Sequence, residues 1–335
     1  MVKWEGLGAA VFVALFFALA ATPATAEAIK IGILKVAGAA PVYIAIEKGY
    51  FAAEGLEPEL LYFDAAEPIA VAAVSGGIDI GAVGTSAGMF SLGAQGALKI
   101  IAGQAREFSG FQTLAFIVSN KAYDGSFKSY RDLAGRSITV SQIGSGSHYS
   151  LTLIAEKFGI DLKTIRVLPL QSIPNQISAV IGGQADGAVV TSTPVMPAIE
   201  KGDVRLMGFV GDVTPWQIGA VFTAGKTDSE RHDMIERFMR AFKQGTRDYH
   251  DAFADASDKR RDGPTAPDVL GIIAKYTSQP VERLKLAIAY IDPEARLDLS
   301  DLQRQIDWFR SQNLLKGTPK VEDMIDKRTV IALPR

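Results

Sequence analysis

The chain alternates short apolar runs with stretches in which apolar positions return every three to four residues, the patterns of buried strand and amphipathic helix. Runs at 29–35, 56–63, 78–83, 98–103 and 112–119 read as strands, with helices over 41–53, 67–75 and 85–95 between them. A second series has strands at 137–141, 166–170, 186–190 and 204–210 and helices at 130–134, 147–158, 174–181 and from Pro194. After a strand at 218–223 the remainder reads as helical. In 228–253 the residues Met234, Ile235, Phe238, Met239, Phe242 and Tyr249 fall close to one stripe, and further helices are expected at 267–276, 281–289 and 300–311. Strands alternating with helices of this length predict an α/β protein with parallel sheets covered on both faces.

The segment 71–88 recurs 106 positions later as 177–194, with nine of eighteen positions identical and no gap. Gly76-Gly77 aligns with Gly182-Gly183, Gly81-Ala82-Val83 with Gly187-Ala188-Val189, and Thr85-Ser86 with Thr191-Ser192. Each copy reads as a helix end, a Gly-Gly stop, a short buried strand and a hydroxyl-bearing loop opening the next helix. Ala/Gly/Val-rich βα turns resemble one another in any α/β protein, but an offset far above repeat periods of roughly 20–50 residues fits two similar lobes. The polar, turn-rich stretches 120–128 and 211–217 read as crossovers. They give a first lobe made of 27–118 and 218–335, interrupted by a second lobe at 119–217, with a cleft between them.

Lys3, the apolar run 7–21 and the small residues Ala24-Thr25-Ala26 have the form of a cleavable secretory signal peptide over 1–26. The run is 15 residues long, short of the roughly 20 that a spanning helix needs. The expected mature protein is periplasmic. The chain has no cysteine, which removes disulfides, thiolate metal sites, thiol nucleophiles and a lipid-bearing N-terminal cysteine. With 48% hydrophobic residues it can bury a substantial core, and a net charge of −2 offers nothing that suits nucleic acid.

Ligands of open α/β sheets lie at the carboxyl ends of the strands, which selects the loops 36–43, 84–86, 144–149 and 191–194. They are rich in Gly, Ser, Thr and Ala and contain no Asp or Glu, so helix-end N–H groups and the hydroxyls of Thr85, Ser86, Ser145, Ser147, Ser192 and Thr193 suit an anion. Each hydroxyl taken alone is equally a helix cap. His148 could supply a pH-dependent charge beside Gly146, and Arg106 a permanent one. Tyr43, Phe108 and Trp216 could stack on an organic ligand or fill the core. Gly84-Thr85-Ser86-Ala87-Gly88 also fits a nucleophile elbow, which makes an exported serine hydrolase using Ser86 the alternative function. The second copy breaks that pattern with Thr193-Pro194. Three scattered histidines give no metal-ligand spacing, and no cofactor is implied.

The stretches IKIGIL (29–34), AIEKGYFAAEGLEPEL (45–60), SGGIDIGAVG (75–84), DLAGRSITV (132–140) and GSHYSLTLIAEKFGI (146–160) resemble the nitrate/sulfonate/taurine class of ABC-transporter periplasmic substrate-binding proteins. The resemblance implies a type II periplasmic-binding-protein-like fold, two α/β lobes closing on a small organic anion, a sulfonate or carboxylate, for delivery by a monomer to a membrane permease. It maps the ligand onto Gly38, Ala39 and Tyr43 in the first loop, Gly84–Ser86 in the second, and the 144–149 loop. Thr191-Ser192-Thr193-Pro194 departs from the aromatic-acid-Pro sequence frequent in sulfonate-type members. The related thiamine-pyrimidine synthases carry a cysteine-rich motif that this chain lacks.

Overall fold

The computed structural model describes Met1 and residues 26–334. The expected signal peptide therefore falls, but for its two ends, outside the described residues. Among these no helix is long and apolar enough to cross a membrane.

The first sheet takes β1 (Glu27–Leu34), β2 (Leu56–Phe63), β3 (Ile80–Gly84) and β4 (Leu98–Gly103). Helices α1 (Ala40–Glu47), α2 (Ala66–Val74) and α3 (Ala87–Ala94) connect them. The helix expected over 41–53 is split at Gly49 and resumes as a single turn at Tyr50–Ala53. The chain then runs through β5 (Ala105–Glu107) into β6 (Leu114–Ser119), β7 (Ser137–Val140), β8 (Arg166–Pro169), β9 (Gly187–Thr191) and β10 (Val204–Phe209). These carry α4 (Gly146–Lys157), α5 (Ile173–Ile181) and α6 (Ser192–Glu200). It returns through β11 (Trp216–Gln217) to β12 (Gly219–Ala224). After β12 come α7 (His232–Phe253), α8 (Ala266–Thr277), β13 (Tyr290–Ile291) and α9 (Leu299–Ser311).

The strand orders are β2-β1-β3-β12-β4 and β8-β7-β9-β6-β10, so the lobes share one topology. In each, the fourth strand is antiparallel to its neighbours and comes from beyond a crossover. This moves a boundary. The run ending at Ser119 was expected in the first lobe, yet β6 pairs with β9 and β10 in the second, and 120–128 holds a helical turn within that lobe. A strand buried on both faces fits either sheet equally, so its composition does not reveal its partner. The outward crossing lies at 104–113, where β5 joins β11 and β13 in a three-stranded sheet between the lobes. Glu107 is wholly buried there, and desolvation pushes its carboxyl well above the usual range.

The repeat is real in the backbone but displaced by one residue from its sequence alignment. Helices α2 and α5 are both nine residues long and offset by 107, and β3 and β9, both five residues long, are offset by the same 107. The left-handed glycine of the helix stop is Gly76 (φ 80°) in one lobe and Gly183 (φ 67°) in the other, whereas Gly182 has φ −73°. Asp79 and Asp186 then coincide. The Asp79 carboxylate accepts the Lys30 N–H at 2.8 Å and its own N–H donates to the Lys30 carbonyl. Asp186 makes the same pair of bonds with Ser137.

The stripe expected in α7 is buried, with Phe238 and Phe242 stacked at 5.6 Å. Each such side chain contributes about 1.5–3 kcal/mol of burial, enough to hold this helix against α1 on the first lobe.

Candidate functional site

The sequence of β3 and β9, apolar and small to the last residue, runs both strands through the core and delivers their carboxyl ends to the interlobe cleft. The lobes meet there in closed form. The Ala87 N–H donates to the Gly144 carbonyl at 2.8 Å, Ser86 bridges to Ser145, and the Ala37 N–H donates to Thr193 Oγ1 at 3.3 Å. Behind these contacts lies a cavity of about 120 Å3 walled by both lobes. A cavity of this size matches a ligand of roughly benzene's bulk.

Of the residues selected from sequence, Gly38, Ala39, Gly84, Thr85, Ser145, Gly146 and Ser147 line this cavity. Ser145 caps α4, its Oγ accepting the His148 N–H at 3.4 Å, and Ser147 Oγ accepts the Ser141 N–H at 3.1 Å. The N–H groups of Gly146 and Ser147, in the first turn of α4, have no intrahelical acceptor and carry the positive end of the helix dipole. Thr85 donates to Gln305 Oε1 at 2.7 Å, which ties the first-lobe loop to α9.

The other selected residues are not among those lining the cavity. Arg106 is paired with Asp298 at 3.2 Å. His148 is buried with its ring edge on Trp308, and Nδ1 accepts the Gly144 N–H at 3.2 Å. Burial lowers its pKa to about 4, so it is a neutral acceptor near pH 7 rather than a cation. Tyr43 stacks on Tyr276 at 4.5 Å and donates to the Leu34 carbonyl, and Trp216 sits edge-on to Tyr149. Phe108 stacks on Tyr290 in the sheet between the lobes. Ser192 donates to the Thr113 carbonyl at 2.8 Å, and Thr193 serves the interlobe contact.

Ser86 donates to Glu67 Oε2 at 2.8 Å and accepts the Met89 N–H at 3.1 Å. That is a helix cap held by a carboxylate. A hydrolase would need a histidine as its base, and the hydroxyl is already spent on the wrong partner.

Sequence reasoning missed Gln104, Thr113, Ser141 and Gln176 in the cavity wall. Gln104 follows β4 directly, and Gln176 lies one turn into the helix after β8. The rule of strand carboxyl ends, applied to those two strands as well, would have found both. Among the lining residues there is no Lys, Arg or His; Asp64 is the one charged member. Away from the cavity, Asp228, His232 and Asp326 bring ligand atoms within 4.8 Å of one another. Arg328 already pairs with both carboxylates at 2.8 Å, supplying the positive charge that a metal would bring.

Residues 37–254 match the NMT1/THI5-like family. No curated protein matches the chain in sequence. Among solved structures, the alkanesulfonate-binding protein SsuA from Xanthomonas axonopodis pv. citri, bound to MOPS, is 19% identical with a TM-score of 0.71, over 90% of this chain and 98% of that one. The periplasmic nitrate-binding protein NrtA from Synechocystis PCC 6803 is 14% identical with a TM-score of 0.71, over 90% and 87%. The desulfurization enzyme DSZB is 14% identical with a TM-score of 0.62, over 89% and 96%. At these identities the likeness is one of fold, the two-lobed periplasmic-binding architecture.

Proposed function

The chain belongs to the NMT1/THI5-like family, and from that premise we propose that it is the periplasmic substrate-binding protein of an ABC importer, holding a small organic anion between its lobes for a membrane permease. The observation that carries this reading is the cavity walled by both lobes, with the first turn of α4 and the hydroxyls of Ser145 and Ser147 in its wall. With no cationic side chain in the lining, the negative charge would rest on N–H groups and hydroxyls, as helix N-termini allow. A ligand touching both lobes favours the closed state through contacts it lacks in the open one. The solved sulfonate- and nitrate-binding proteins of the same fold support the class.

An enzyme on this scaffold has the fold of DSZB in its favour, but the Ser86 bond to Glu67 speaks against a serine nucleophile. Thermal denaturation with ethanesulfonate, propanoate, their hydroxylated relatives and nitrate tests the proposal. A ligand at 100 times its Kd adds about 2.7 kcal/mol to stability. Ser147→Leu, which fills the cavity, should remove that gain while leaving the unliganded protein folded. If no anion stabilises the native protein, or the variant responds as the native does, the reading fails.

A further inference from the structure

Gln176 sits on α5 three residues after Ile173, so the two share a helix face, and both line the cavity. It is 1% exposed. Its Nε2 donates to the Ser172 carbonyl at 3.4 Å, while Oε1 has no hydrogen-bond partner among the described residues. Turning the amide over would set Oε1 against the Ser172 carbonyl, acceptor to acceptor, so the bond fixes which atom is left without a partner. A buried acceptor without a donor is disfavoured wherever it occurs, and one in the wall of a ligand cavity is satisfied when the ligand brings the donor. Helix N-terminal N–H groups can hold an anionic head but cannot serve this carbonyl. A hydroxyl or N–H elsewhere on the ligand can.

Resting on the proposed anion site, we infer that Gln176 is a specificity-determining residue whose Oε1 accepts a hydrogen bond from a hydroxyl or N–H carried by the ligand beside its acidic group. The protein is therefore selective for substituted organic anions. Nitrate and unsubstituted alkanesulfonates or alkanoates, which have no donor, leave the carbonyl unpaired and bind more weakly. Sites built to hydrogen-bond a substrate hydroxyl reject the analogue lacking it far more strongly than apolar pockets reject a changed methylene.

The test is calorimetric titration of the full mature protein with two matched pairs, ethanesulfonate with 2-hydroxyethanesulfonate and propanoate with 2-hydroxypropanoate. The hydroxylated member should bind about tenfold tighter in at least one pair. Gln176→Met, of similar volume, should bring that ratio close to one by weakening the hydroxylated member alone, and Gln176→Glu, which keeps an acceptor, should preserve the preference. A merely structural role would weaken both members equally. Equal affinities within both pairs in the native protein overturn the inference with no variant needed, as does a preference that survives Gln176→Met; in either case the anion site itself still stands. If neither pair binds, this inference falls, and if nitrate fails to bind as well the anion site falls with it.

Discussion

The two lobes share a strand order and a helix-stop-strand unit, yet their first helices differ where it matters for charge. In α1 the fourth residue is Tyr43 and the third Val42; in α4 the fourth is Tyr149 and the third His148. Both tyrosines are buried. Valine is indifferent to pH, whereas the buried imidazole can take a proton only by losing its bond to Gly144 and charging in a low-dielectric place. Equal backbones thus carry unequal chemistry, and the second lobe alone has a histidine at that turn.

The largest effect expected from this difference is in acid. His148 keeps a pKa of about 4 in the folded protein against an ordinary 6.5, so below pH 6.5 the unfolded chain binds a proton that the folded one refuses. Stability from this group is complete above pH 6.5 and declines as pH falls toward 4, by up to about 3 kcal/mol. Urea unfolding at pH 7 and pH 4.5 should show a loss in the native protein that His148→Val, which copies the first lobe, largely escapes. Identical losses in both proteins would mean that other groups govern the acid response.

Asp79 and Asp186 offer the next contrast. Both hold the backbone of a neighbouring strand, but Asp79 also pairs with Arg231, a contact that Asp186 has no counterpart for among the described residues. Asp79→Ala should cost about 2–3 kcal/mol and Asp186→Ala about 1–2 kcal/mol in chemical denaturation. The half-exposed Arg231 keeps the difference modest, since water and Glu27 take over part of its charge. Equal costs would show that the ion pair adds nothing measurable.

The smallest effects decide the register of the repeat. Gly76→Ala and Gly183→Ala each place a side chain in the left-handed region and should cost about 1 kcal/mol. Gly182→Ala, at φ −73°, should stay within about 0.5 kcal/mol. Were the ungapped alignment the structural one, Gly182 rather than Gly183 would be the sensitive position.

That one-residue displacement shows where sequence stops being legible. The strands at 56–63 and 98–103 appear at the bounds their apolar runs predicted, because burial leaves its period on every residue. One step away only four of the eighteen positions stay identical against nine, yet that is the structural register, so the match with most identities is not the match of equivalent positions. In a strand such a step exchanges inward and outward faces. The short strands β5, β11 and β13 were missed because two or three residues cannot display a period. In the site, loop positions were readable from the carboxyl-end rule, and seven selected residues do line the cavity. The directions of Arg106, His148, Tyr43 and Trp216 were not, since each is set by a partner distant in sequence: Asp298, Trp308, Tyr276 and Tyr149.

The place of β12 in the first sheet has a consequence for how the protein is made. It lies between β3 and β4, so four strands synthesised early have a gap in their middle until residue 219 arrives. The second lobe has all five of its strands by Phe209. A chain emerging from its N-terminus therefore completes the later lobe before the earlier one, and its first-lobe strands wait with unpaired edges through roughly a hundred residues of further elongation.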